Sequence, residues 1–169
     1  MTRAPATECW LSDDVTVGRS SIAGQGLFAT ASILQGTVVS RLGGRLVSTA
    51  ELRHLMAGPD YVDSVAVDAD LHLLLAPGNL NRFGNHSCEP TLWWVDEYTL
   101  VARRDLVAGE ELTSDYSTST TDPQFVLRCH CETYRCRQMV TGDDWRIPQL
   151  QQAYATHWTP YLQKLIQAL

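Results

Sequence analysis

The chain has 169 residues, of which 44% are hydrophobic, and a net charge of −6. That length suits one domain with a real core, and no apolar run approaches the roughly 18 residues of a membrane span. The acidic balance, with no basic stripe, argues against direct binding of nucleic acid and favours a cationic protein or peptide as partner.

In chain order, "VTVGRS" and "TVVSRL" alternate at period two and read as short strands. Gly43-Gly44 reads as a hairpin turn into a further strand, "RLVS". Thr49 is placed to cap a short helix, "AELRHLMA", which Gly58-Pro59 ends. Strand patterns return at "YVDSVAV", "LHLLLA", "TLWWV" and "YTLVARRD". In "LWWV" the adjacent tryptophans must face opposite sides of a sheet. Near the C-terminus Thr159 and Pro160 start a helix whose Tyr161, Leu162, Leu165, Ile166 and Leu169 form an apolar stripe. Many short strands and few helices predict a mainly β or β-rich α+β fold.

The first ten residues, "MTRAPATECW", hold one Arg and no apolar stretch of the kind that directs secretion, so a cytoplasmic location is expected. In that reducing compartment five cysteines are free thiols or metal ligands rather than a disulfide framework. Cys129, Cys131 and Cys136 fall in "CHCETYRC" as C-x-C-x4-C, a spacing that lets three thiolates converge on one tetrahedral zinc. Cys88 is the first candidate for the fourth ligand; Cys9, His130 and His86 are weaker ones. On the positive side of the composition, twelve arginines stand against the single Lys164, as arginine-biased codon use would give, and as would also suit an enzyme that must not consume its own side chains.

The segment "NRFGNHSCEPTLWW" reads locally as a turn, since Gly84, Asn85, Ser87 and Pro90 are turn formers. In "AGQGL", Gly24 and Gly26 have backbone freedom that lets the main chain approach a ligand closely around Gln25. Glu110, Glu111 and Asp115 look like a carboxylate cluster but read better as a turn and strand edge.

"GRSSIAGQGLFAT", "RFGNHSCEP", "GEELTSDY" and "CHCETYRC" occur in the order found in SET-domain protein lysine methyltransferases, and the chain resembles a compact, bacterial-type member of that family. The resemblance implies several small β-sheets, a pseudoknot-like C-terminal core, a zinc-stapled post-SET loop and a C-terminal helix. It divides the chain into an N-terminal segment (1–14), a SET domain (15–120), a post-SET zinc segment (121–145) and a helical extension (146–169).

It further implies transfer of methyl groups from S-adenosylmethionine to the side-chain amine of a lysine in a basic protein or peptide. By the same resemblance, Gly24, Gln25, Gly26, Arg82, Phe83, Asn85, His86, Tyr116, His130 and Trp145 bind the cofactor. Asn85 takes its methionine end and His86 its adenine end, while His130 and Trp145 cover the adenine. Tyr116 is the catalytic hydroxyl, Tyr61 a second channel tyrosine, and Ser114 lines the lysine channel where relatives carry an aromatic ring. Cys88, Cys129, Cys131 and Cys136 hold zinc. Thr91, Ser117 and Glu132 also depart from the common residues at their positions. The alternative is a catalytically weak or inactive SET-like module that binds cofactor or peptide, to which Ser114 leaves room.

Overall fold

The computed structural model of the chain describes residues 4–169. Strands are numbered in chain order. One sheet has the order β1 (Trp10–Leu11), β4 (Val38–Arg41), β9 (Thr99–Ala102), β8 (Leu92–Trp94). A second runs β10 (Glu111–Leu112), β3 (Gln25–Ala29), β2 (Val15–Arg19), and a third β5 (Gly44–Val47), β7 (Leu71–Leu75), β6 (Ser64–Asp68). The strands β11 (Val126–Arg128) and β12 (Met139–Thr141) form a separate antiparallel hairpin. Three short helices complete the chain: α1 (Thr49–Met56), α2 (Pro148–Tyr154) and α3 (Pro160–Gln167). Among the described residues no helix is long and apolar enough to cross a membrane.

The three sheets share one core, in which Leu27, Val39, Leu73, Leu100, Ala102 and Leu112 are buried together. Burial of each such large aliphatic side chain contributes about 1.5–3 kcal/mol. The tryptophan pair divides as its alternation requires. Trp94 is buried and donates from Nε1 to the Thr118 hydroxyl at 3.0 Å, while Trp93 faces the other side and stacks on His157.

Three local expectations are corrected. Gly43-Gly44 is not a hairpin turn, because β4 and β5 lie in different sheets. The glycines serve close approach instead: a Cβ on Gly43 would lie 2.0 Å from the Glu8 carbonyl oxygen, and one on Gly44 2.0 Å from that of Leu74. The cap of α1 is Ser48, whose hydroxyl accepts from the Glu51 N–H, and Thr49 is the first helical residue. In α3, Leu162 is fully buried and Tyr161, Leu165 and Ile166 pack beside it, but Leu169 lies past the helix end and is exposed.

Candidate functional site

Two segments far apart in sequence run side by side at the centre of the molecule. His86 and Ser114 form a parallel bridge, with the Ser114 N–H donating to the Asn85 carbonyl (3.1 Å) and the Ser87 N–H to the Ser114 carbonyl (3.0 Å). Thr91 extends the contact: its hydroxyl accepts from the Thr113 N–H at 2.8 Å and donates to the Glu111 carbonyl at 3.2 Å. This pairing leaves the N–H and C=O of His86 itself on the opposite edge, unpaired by any described residue.

Asn85 fastens the glycine loop to this centre. Its Nδ2 donates to the carbonyls of Gln25 (2.9 Å) and Ala23 (3.2 Å) and to Glu111 Oε1 (2.8 Å). Glu111 also accepts both prongs of a bond from the Ser20 hydroxyl, at 2.8 and 3.0 Å. Gly24 has φ +51°, a conformation that favours glycine, and a Cβ on Gly26 would lie 2.2 Å from Glu111 Oε1. Both glycines are thus required by the clamp. Asn85 Oδ1 accepts nothing from the described residues and is open to a donor such as an ammonium group. Glu111 is a hub of this loop, a role the strand-edge reading missed.

Tyr116 lies next to the same centre. Its hydroxyl donates to the Gly84 carbonyl at 2.7 Å, its N–H donates to His86 Nδ1 at 3.2 Å, and its ring meets His86 edge-on. Burial, reinforced by Tyr61, Asp63 and Glu111, pushes its phenol well above the ordinary tyrosine range, so it stays a neutral donor. Burial also pushes His86 down to about 4, against the pull of Asp115. The neutral imidazole accepts at Nδ1, which puts its proton on Nε2, 3.4 Å from Cys88 Sγ. With the side chain only 2% exposed and both nitrogens engaged, the imidazole of His86 is turned into the protein, while its backbone N–H and C=O have no partner among the described residues.

Tyr116 and Ser114 line a cavity of about 540 Å³ whose wall also includes Tyr61, Asp63, Arg82 and Phe125. At depth the cavity reaches the core residues Leu27, Leu92 and Leu112. Ser114, without a ring, leaves part of that space open. Tyr61 sits at the mouth, 73% exposed. Arg82 turns to this mouth, its guanidinium 4.9 Å from the Tyr61 ring centre, and also flanks Phe83, which packs on the core.

The four cysteines Cys88, Cys129, Cys131 and Cys136 converge, with all Sγ atoms within 4.8 Å of one another. Cys88 and Cys129 are 3.8 Å apart, close to the edge of about 3.8 Å that follows from a tetrahedron with Zn–S near 2.3 Å. Backbone N–H groups of Arg137 and Cys131 donate to Cys88 and Cys129 sulfur at 3.3 and 3.4 Å, while burial pushes both thiols up, Cys88 to about 11. Burial raises the Cys131 thiol, but the Thr133 hydroxyl and nearby backbone donors outweigh it and bring the group to about 6. The set is thus compatible with zinc. Cys9 is engaged elsewhere, on the backbone of Gly43. The hairpin of β11 and β12 presents the loop, and Glu132 takes φ +54° there, a conformation that favours glycine.

The remaining candidates separate. His130 is exposed on the loop. Trp145 is 5% exposed in a cluster with Tyr154, Trp158 and Leu162, so its ring is core packing and has little surface to offer an adenine. Beside the cysteine cluster, Asp115 receives Arg137 through two bonds, Tyr154 Oη at 2.7 Å and the Ser117 hydroxyl at 2.7 Å. Arg137 also contacts Asp144 at 2.9 Å. Neither Arg137 nor Tyr154 carries a sequence signal beyond its position.

Comparison with known proteins agrees with this arrangement. Residues 24–117 match the family described as "SET domain", and the chain belongs to that family. It is 34% identical over 143 residues to human Histone-lysine N-methyltransferase 2B, covering 75% of this chain and 5% of that one. It is 30% identical over 159 residues to Histone-lysine N-methyltransferase ash1 of Drosophila melanogaster, covering 87% of this chain and 7% of the relative. The chain therefore spans a small fraction of these relatives. In structure it superposes on KRYPTONITE, solved in complex with mCHG DNA and SAH, with a TM-score of 0.58 and 26% identity over 74% of this chain and 28% of that one.

Proposed function

We propose that the chain is an S-adenosylmethionine-dependent protein-lysine N-methyltransferase whose substrate is a basic, lysine-bearing protein. The observation that carries this reading is the meeting, around Gly84-Asn85-His86, of a clamped glycine loop, an unpaired backbone edge and a buried tyrosine hydroxyl. Membership of the SET family and the naming of its relatives as histone-lysine methyltransferases support it. When bound, S-adenosylmethionine supplies an electrophilic methyl group on a sulfonium.

The residues of this chain have definable tasks in that reaction. Asn85 Oδ1 and the loop around Gln25 would hold the amino-acid end of the cofactor, and the N–H and C=O of His86, unpartnered among the described residues, would be available to its base. Lysine, with a reference pKa near 10.4, must arrive as the neutral amine, which a largely apolar cavity favours. Tyr116, kept neutral and fixed on Gly84, orients the amine for in-line attack, and orientation is the principal source of rate in such a displacement. Residues 15–120 constitute the SET unit and 121–145 the post-SET segment, whose Cys129, Cys131 and Cys136 would hold zinc together with Cys88 and so tie the loop to the SET unit. In the cell the protein acts in the cytoplasm. The test is to incubate the protein with isotopically labelled S-adenosylmethionine and core histones or lysate proteins, and to locate the label by mass spectrometry.

A further inference from the structure

Tyr61 presents a puzzle, because an exposed ring on an irregular segment has no packing to hold it over the cavity. Its position is instead set by two charged neighbours. Tyr61 and Asp63 lie just before β6, near enough for the Asp63 charge to act on the Tyr61 phenol. The Arg82 guanidinium lies 4.9 Å from the Tyr61 ring centre, and its Nε is 3.9 Å from Asp63 Oδ2. Both partners are anchored through their backbones. The Asp63 carbonyl accepts from the Leu75 N–H at 3.0 Å, and the Arg82 N–H donates to Asn79 Oδ1 at 2.9 Å.

The turn that carries Arg82 (Leu80–Phe83) runs directly into Gly84, whose carbonyl receives the Tyr116 hydroxyl. One short turn therefore reaches both tyrosines of the cavity. We propose that Asp63 and Arg82 are positioning residues that hold Tyr61 across the cavity mouth and so govern how a substrate lysine is led to Tyr116. The role assigns Arg82 to the substrate side instead of the cofactor, and it rests on the methyltransferase reading.

The test compares wild type with Asp63→Asn, Arg82→Gln, Arg82→Lys and Tyr61→Ala, alone and with each charged-residue change combined with Tyr61→Ala. Two quantities are read: steady-state methylation of core histones, and the NMR signal of the Tyr61 ring in protein with 13C-labelled tyrosine. Asp63→Asn and Arg82→Gln are expected to lower kcat/KM by roughly tenfold or more, since a misplacement of about 1 Å costs on the order of a hundredfold. Arg82→Lys, which keeps a cation over the ring, retains most of the activity, and neither Asp63→Asn nor Arg82→Gln has a further effect in the Tyr61→Ala background. The Tyr61 ring signal moves in Asp63→Asn and Arg82→Gln. An unmoved ring signal, or losses of equal size with Tyr61 already removed, overturns the proposal. If the wild type transfers no methyl group, the catalytic reading fails, while the ring signal still decides whether Asp63 and Arg82 hold Tyr61.

Discussion

Arg137 closes on Asp115 through two parallel bonds of 2.7 and 2.8 Å, joining the residue after the last loop cysteine to the residue before Tyr116. The Asp115 side chain is fully buried and also takes the hydroxyls of Tyr154 and Ser117. One carboxylate therefore unites the SET core, the cysteine loop and the end of α2.

Breaking that pair strands a buried charge, which typically costs about 3–5 kcal/mol. Arg137→Met and Asp115→Asn are each expected to lose stability on that order in urea unfolding. The pH dependence follows. Burial raises the Asp115 carboxyl, but the bonds and charge of Arg137 outweigh it, and the folded value lies below the ordinary range. A depressed folded pKa contributes stability that is present above the unfolded value of about 3.9 and is lost as pH falls through the folded one. The stability gap between wild type and Asp115→Asn therefore closes as the solution is acidified below pH ~4.

Metal content checks the cysteine cluster. Purified protein is expected to carry about one zinc per chain, as a closed four-thiolate site requires. Serine at Cys88, Cys129, Cys131 or Cys136 loses the metal and weakens cofactor binding, whereas Cys9→Ser keeps it, since Cys9 is bonded to Gly43. Zinc loss from Cys9→Ser with none from Cys88→Ser refutes the assignment.

Trp145 and His130 are expected to part company. Removing a buried aromatic ring costs about 3–5 kcal/mol, so Trp145→Ala lowers the unfolding free energy by about that much. His130→Ala, at an exposed position, leaves it within about 0.5 kcal/mol. Denaturant titration of the two variants separates them.

How far the sequence carries can be seen in these residues. The alternating "VTVGRS" and the strand-like "LHLLLA" stand as Val15–Arg19 and Leu71–Leu75. Cys88 joins the loop cysteines as motif order implies. What was not legible depends on contacts between distant segments. The clamp of Glu111 on Ser20 and Asn85 and the embrace of Asp115 by Arg137 each span residues with no local periodicity to announce them, whereas the bridge of His86 to Ser114 answers to the pseudoknot-like core that the resemblance implies. Trp145 shows the converse, since a ring placed by motif position near a ligand is drawn into the core by Tyr154 and Trp158. The hairpin of β11 and β12 was hidden because short strands around a cysteine loop carry too few residues to show alternation.

Ser114 leads to a prediction about product. It lines the cavity beside Tyr116 without filling it, so a lysine that already bears a methyl group has room to rotate and realign. Di- or trimethylated lysine is the expected product by mass spectrometry over time. Ser114→Tyr, which restores a ring and its hydroxyl, is expected to shift product toward monomethyl lysine. A strictly monomethylating wild type whose product Ser114→Tyr does not alter shows that Ser114 does not bound the amine.

The most direct measurement follows labelled methyl groups from S-adenosylmethionine into lysine for wild type beside Tyr116→Phe, with cofactor binding measured on both. The phenylalanine keeps the ring against His86 and Phe125 and removes only the hydroxyl that Gly84 holds. The account predicts label on a protein lysine with the wild type, and a loss of about a hundredfold or more with Tyr116→Phe at unchanged cofactor affinity. Cofactor binding by the wild type with no transfer to any protein, or transfer that Tyr116→Phe leaves intact, contradicts it.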